Sequence, residues 1–423
     1  MTQLEQARAG VVTAEMDSVA RSEQIEPETV REEVARGRMV IPANRVHLDR
    51  GLQPIGIGAA ARTKINANLG NSPISSDSEC EIQKVRCAVR YGADTVMDLS
   101  TGPNIDAIRQ RIIDAVSVPV GTVPIYQVAE KLDDIADMTP RGFLDVVEQQ
   151  ARQGVDYMTI HCAILRAHLP LTERRLTGIV SRGGSLAAKW MTVHNEENPF
   201  YTHFDDLCDI MRAYDVTWSL GDGLRPGSVA DASDEAQFAE LEVMGQLARR
   251  AKQRGCQVMI EGPGHIPIDE IEANVKVMKR LSGEKPFYML GPLVTDIAPG
   301  RDHIVAAIGA SLSSAYGADF ICYVTPAEHL ALPNVEDVRE GVMASRIAAH
   351  VGDMIKNGNR DQDLAMGRAR RDLLWPEQFD LALDPETAKK MRAERAPADS
   401  QVCTMCGDFC AHKIVAENLD IRK

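Results

Sequence analysis

From about residue 80 onward, short apolar runs of strand length alternate with amphipathic stretches of helix length, and that rhythm confines the chain to parallel β/α architectures. The strand-like runs cover 95–99, 118–125, 157–161, 217–220, 258–261, 288–290 and 320–324, with helical stretches at 106–116, 143–153, 235–254 and 268–281 between them. Parallel strands joined by crossover helices form a doubly wound sheet or a closed barrel. Seven runs, an eighth expected at 189–193, and no glycine-rich dinucleotide fingerprint in the first turn predict a TIM-type (β/α)8 barrel. Polar residues support that choice. Asp98, Tyr126, His161, Asp222 with Arg225, Glu261 with His265, and Tyr323 close successive strands, and the carboxyl ends of barrel strands are where active sites gather.

The chain, at 423 residues, is longer than a barrel of about 250 residues requires. Residues 1–75 read as an N-terminal domain with helical stretches at 4–9 and 28–36, residues 76–355 as the barrel with the substrate and metal sites, and residues 356–423 as a helical region and tail. The stretch Arg395-Ala396-Pro397-Ala398-Asp399-Ser400 is expected to be a flexible tether to that tail. A net charge of −14, with no basic tract longer than short runs such as 368–371, argues against nucleic acid or an anionic membrane as partner. No apolar run approaches the ~20 residues of a membrane span. The start of the chain lacks a secretion signal, so a cytoplasmic location with reduced thiols is expected.

The nine cysteines are unevenly placed: Cys80, Cys87, Cys162, Cys208, Cys256 and Cys322 are scattered, while Cys403, Cys406 and Cys410 form a C-x2-C-x3-C cluster. Three thiolates with His412 would make a zinc knuckle; three thiolates alone would hold a four-iron cluster with one iron free for a ligand. His265 in Glu261-Gly262-Pro263-Gly264-His265 and His329 in Thr325-Pro326-Ala327-Glu328-His329 both follow strands, and two imidazoles at one barrel mouth suit a divalent metal with open positions. Ser181-Arg182-Gly183-Gly184-Ser185 offers backbone N–H groups, two hydroxyls and a guanidinium to a phosphate. In Asp222-Gly223-Leu224-Arg225-Pro226-Gly227, an Asp–Arg pair is either a structural ion pair or a grip on a polar, anionic ligand.

Ile65-Asn66-Ala67-Asn68-Leu69-Gly70, Met97-Asp98-Leu99-Ser100-Thr101-Gly102, Gly121-Thr122-Val123-Pro124-Ile125-Tyr126-Gln127, Gly291-Pro292-Leu293 and the motifs above, in this order along nearly the whole chain, resemble the phosphomethylpyrimidine synthase (ThiC) family. The resemblance implies a central barrel and a small N-terminal domain. It also implies a tail whose [4Fe-4S] cluster reaches the active site of the partner in a homodimer. The implied chemistry is atypical radical S-adenosylmethionine catalysis on 5-aminoimidazole ribonucleotide, with an external electron donor. Asn68, Met97, Tyr126, His161, Ser181, Arg182, Gly183, Asp222, Gly223, Leu224, Arg225, Glu261 and Tyr288 match the family's substrate contacts. Glu261, Asp222 and His161 are the expected catalytic residues, His265 and His329 the zinc- or iron-type metal pair, and Cys403, Cys406 and Cys410 the cluster ligands.

The chain departs from the usual thiamin-branch pattern at Ala163, Arg301 and Ala331. These substitutions cluster where a differently folded radical intermediate would need different space, and the expected activity is that of the family's other branch, which makes 5-hydroxybenzimidazole, the lower-ligand precursor of anaerobic cobamides. The alternative product from the same substrate is the thiamin pyrimidine, 4-amino-5-hydroxymethyl-2-methylpyrimidine phosphate. A non-catalytic, zinc-stabilised barrel that binds a phosphorylated metabolite is the reading from outside enzymology.

Overall fold

The computed structural model describes residues 1–71, 78–102, 104–395 and 401–419. Most of the expected tether, Ala396 to Ser400, lies outside the described residues. The chain forms two compact units, Met1–Lys356 and Asn357–Lys423. Among the described residues, no helix is long and apolar enough to cross a membrane.

The first unit contains a closed, parallel, eight-stranded barrel: β1 (Lys64–Leu69), β2 (Thr95–Asp98), β3 (Val120–Thr122), β4 (Tyr157–Ile160), β5 (Thr217–Leu220), β6 (Val258–Gly262), β7 (Phe287–Leu290) and β8 (Phe320–Cys322). β8 closes on β1 with Cys322 opposite Asn66, and β1 pairs with β2 with Asn68 opposite Met97. Two expectations are corrected. Residues 189–193 belong to the helix Arg182–His194, and the missing strand is β1, inside the stretch expected to form a separate N-terminal domain. The long run at 118–125 also stops early as a strand, because Pro124 starts the helix Pro124–Glu130, where its missing N–H costs nothing.

Residues before β1 are tied to the amino end of the barrel. The helices Gln3–Arg8, Ala14–Glu23 and Pro27–Arg36 share a small apolar core that includes Ala7, Met16, Val19, Val30 and Val34. From there the Gln3 amide donates to Asp215 at 2.7 Å, Gln257 bonds both the amide and the carbonyl of Ile41, and the Asn44 amide donates to Asp156 at 2.9 Å. Asp156, Asp215 and Gln257 each immediately precede a barrel strand or lie within two residues of its start. The opening segment therefore covers the end of the barrel opposite the carboxyl-end mouth.

In the second unit, the helices Asp361–Arg371, Trp375–Leu381 and Pro385–Glu394 precede the cysteines. The Arg392 guanidinium lies 3.5 Å over the Trp375 ring, and the Trp375 indole N–H donates to the Gln401 carbonyl at 3.0 Å. These contacts anchor the segment that leads into Cys403.

Candidate active site

The barrel interior below the mouth is a hydrogen-bonded polar layer. Asn66 Oδ1 accepts from Thr95 at 2.8 Å and from Tyr157 at 2.9 Å, while its Nδ2 donates to Asn68 Oδ1 and to the Tyr288 hydroxyl, each at 2.7 Å. Asn68 donates to Cys322 Sγ at 3.0 Å, and the Tyr288 hydroxyl to Met97 Sδ at 3.6 Å. Buried amides and hydroxyls require such partners. Asn68, Met97 and Tyr288 therefore stand on one shared platform. Asn66 and Cys322, absent from the expected site, complete it.

Glu261 Oε1 accepts from Thr159 at 2.7 Å and from Ser219 at 3.3 Å. Asp222 meets Arg225 at 3.1 Å through Oδ1, while its buried Oδ2 has no hydrogen-bond partner among the described residues. Burial pushes both carboxyls up, and the neighbouring Glu261 and Glu240 push Asp222 further. The Arg225 guanidinium opposes that shift at Asp222. His161 is buried with Nδ1 unpartnered among the described residues, and burial together with Arg225 brings its pKa down to about 3, so the ring is neutral. Gly183 makes room for it: a Cβ there would lie 2.2 Å from the imidazole.

Ser181 caps the helix Arg182–His194. Its Oγ accepts the Gly184 N–H at 3.1 Å, and the Ser185 hydroxyl donates to the Arg182 carbonyl at 2.9 Å. The Ser185 hydroxyl is thus spent on backbone, while Ser181, which only accepts, keeps its O–H as a donor beside the helix N-terminus and the exposed Arg182 guanidinium. That guanidinium lies 4.9 Å from the Tyr126 ring centre, a cation–π distance. Arg182 borders two clefts. One of about 360 Å³ also contacts Asn68, Tyr323, Glu328 and His329, and one of about 500 Å³ contacts Tyr126 and Leu186. Both fall in the range of about 300–1,000 Å³ typical of small-molecule sites. Leu224 is fully buried, and the Gly223 amide donates to Glu240 at 2.8 Å, so these two shape the loop from within.

The rings of His265 and His329 are 5.5 Å apart. His265 Nδ1 bonds Asp296 at 2.8 Å and His329 Nδ1 bonds Asp302 at 3.4 Å, an arrangement that leaves each Nε2 for a metal and orients it through a carboxylate. This donor set fits a divalent cation with open positions. Asp296 carries no motif of its own in the sequence, whereas Asp302 follows Arg301 in Ala298-Pro299-Gly300-Arg301-Asp302-His303. In the second unit, the amides of Cys406 and Met405 lower the pKa of the Cys403 thiol, which favours the thiolate an iron cluster needs. Cys403 is partly exposed, Cys406 exposed and Cys410 buried. Among the described residues no three His, Cys, Asp or Glu side chains stand together as a ligand array, so neither the histidine pair nor the cysteine turn is a closed site by itself.

Of the three departures from the thiamin-branch pattern, Ala331 borders the cleft that also contacts His329. Ala163 is fully buried in the core, and Arg301 is an exposed residue at the start of the helix Asp302–Tyr316.

A closed parallel barrel with an arginine, buried acids, a neutral histidine and a pair of histidines at the carboxyl ends of its strands has the layout of a (β/α)8-barrel enzyme. A family model described as the radical SAM ThiC family matches residues 2–417, and the chain belongs to that family. It is accordingly a radical SAM enzyme, which works with S-adenosylmethionine and an iron–sulfur cluster. It is 57% identical over 420 residues to the phosphomethylpyrimidine synthase of Halobacterium salinarum, covering 98% of this chain and 88% of that one. It is 56% identical over the same length and shares to the protein of that name from Natronomonas pharaonis. Among solved structures, dihydropteroate synthase from Stenotrophomonas maltophilia matches at 12% identity and a TM-score of 0.43, over 71% of this chain and 95% of that one.

Proposed function

We propose that this enzyme converts 5-aminoimidazole ribonucleotide into 4-amino-5-hydroxymethyl-2-methylpyrimidine phosphate, the thiamin pyrimidine. The observation that carries the reading is identity of more than half the residues, over nearly the whole chain, to relatives named phosphomethylpyrimidine synthase. The mouth suits that substrate. Arg182, with the helix N-terminus behind it, and Arg225 are the cationic groups for the phosphate. Asp222, with its unpartnered Oδ2, and Glu261 are placed to hydrogen-bond the aminoimidazole and ribose, and Asn68, Met97 and Tyr288 support the substrate from the barrel interior. When bound at Cys403, Cys406 and Cys410, the cluster would supply reductive cleavage of S-adenosylmethionine. The protein's own part is to bind, to orient and to keep water out.

His265 and His329 would hold a divalent metal, zinc or iron, with Asp296 and Asp302 behind them. A homodimer in a reducing cytoplasm completes the reading. It is supported by exposed apolar residues at spacings of four on the helix Asp302–Tyr316 (Ile304, Ile308) and on the helix Val335–Lys356 (Ile347, Val351, Ile355). The test is anaerobic turnover of the ribonucleotide and S-adenosylmethionine by the reconstituted enzyme with a chemical reductant, with products identified by mass spectrometry. The pyrimidine phosphate is the expected product. 5-Hydroxybenzimidazole would return the enzyme to the other branch, and ribonucleotide binding without S-adenosylmethionine cleavage would leave only the non-catalytic binder.

A further inference from the structure

The helix Glu235–Gln253 buries a stripe that includes Ala236, Gln237, Glu240, Leu241 and Met244. An ionisable acid in such a stripe is costly to bury unless it is fully hydrogen-bonded. Glu240 is 2% exposed, and both its oxygens are used: Oε1 accepts the Gly223 N–H at 2.8 Å and Oε2 the Leu224 N–H at 2.7 Å. Those two amides lie between Asp222 and Arg225. The same loop is pressed from its other side by the start of the helix Arg182–His194, since a Cβ on Gly184 would lie 2.2 Å from the Gly223 carbonyl oxygen. A Cβ on Gly223 would be caught between Glu240 Oε1 at 3.0 Å and Gly184 Cα at 3.2 Å. The loop is therefore gripped between one carboxylate and the turn that carries Arg182.

We propose that Glu240 is a positioning residue for the ribonucleotide: by accepting both amides it sets the backbone from which Asp222 and Arg225 reach the substrate, and holds Arg225 in register with Arg182. This role rests on the substrate proposed above. A carboxylate suits it because two adjacent N–H groups aimed the same way need two acceptor atoms on one side chain. Glutamine offers one acceptor and sets its NH2 against the other amide, and alanine offers none.

The test is calorimetric titration of 5-aminoimidazole ribonucleotide into the reconstituted holoenzyme, without reductant so that no turnover occurs, for the wild type, Glu240→Gln and Glu240→Ala. S-adenosylmethionine is titrated into the same preparations, and thermal unfolding is recorded for each. The expected result is a dissociation constant for the ribonucleotide raised about 10- to 100-fold in the variants, the loss of one to two charge-assisted contacts, with S-adenosylmethionine affinity within about twofold of wild type. If the alanine variant does not fold, the glutamine variant, of the same size, carries the test. The role of Glu240 is overturned by a folded glutamine variant that binds the ribonucleotide like wild type, by parallel loss of both ligands, or by failure of both variants to fold. A wild-type enzyme that does not bind the ribonucleotide would overturn the proposed substrate itself, a result distinct from an indifferent variant.

Discussion

Acidification should weaken the fold through His161 in a way that can be isolated. Burial and the Arg225 charge bring its folded pKa down to about 3, against an ordinary value of about 6.5 for an exposed imidazole. The unfolded chain therefore takes up a proton that the folded chain refuses. The stability this neutral ring retains is complete above about pH 6.5, declines as the pH falls, and levels off only below about pH 3. At pH 5 the loss is about RT ln(1 + 10^1.5), or ~2 kcal/mol, and it changes little for any folded pKa below about 4. Within the unit Met1–Lys356, an unfolding entropy of about 2.1 cal/mol/K per residue converts this into a fall in Tm of ~3 °C. Other groups titrate over the same range, so the measurement is a difference. Tm is recorded for wild type and His161→Gln at pH 7.5 and pH 5, and the wild type should lose about 3 °C more than the variant. The variant's lower stability at both pH values does not enter. Equal pH dependence in the two proteins would mean that His161 can take up a proton in place, and that the neutral ring assigned to the mouth is wrong.

Other outcomes follow from the same geometry. Gly183→Ala places a methyl group 2.2 Å from the His161 ring and should reduce turnover at least tenfold while costing about 1–3 kcal/mol of stability, read by activity and by thermal unfolding. Asp296→Asn removes the carboxylate behind His265 and should weaken divalent-metal affinity about 10- to 100-fold in a competition titration with a chromogenic chelator; unchanged affinity would refute the proposed metal pair. Cys406→Ala should abolish the iron and sulfide content and the visible absorbance of the anaerobically reconstituted protein while leaving ribonucleotide binding in place, and a variant that keeps its cluster would remove Cys406 from the ligand set.

Much of the mouth is legible in the sequence because strand endings are local signals: an apolar run followed by His161, by Asp222 or by Glu261 marks both the strand and the group it delivers. β1 escapes that logic. Its Lys64, Asn66 and Asn68 alternate with Ile65, Ala67 and Leu69, a pattern that suits a strand with one face in water, yet Lys64 and Asn66 are buried and Asn68 is half-buried. Lys64 is neutralised by Glu23 at 2.6 Å, and Asn66 is satisfied by Thr95, Tyr157 and Tyr288, partners distributed over more than two hundred residues of chain. Glu240 left a fainter trace, an acid within an apolar helical stripe, which signals a buried partner without saying which one.

By itself the sequence determined the β/α alternation, the ring of groups at the strand ends, and the separation of three terminal cysteines from six scattered ones. Those properties depend on residue type and short-range periodicity. The tertiary structure alone decided which segment closes the barrel, that the Ser185 hydroxyl is committed to backbone, and that, among the described residues, Asp222 keeps an unpartnered oxygen beside a well-bonded Glu261. Each of these depends on whether a polar atom finds its partner, or a side chain its room, among residues far away in the chain, and local patterning carries no record of that.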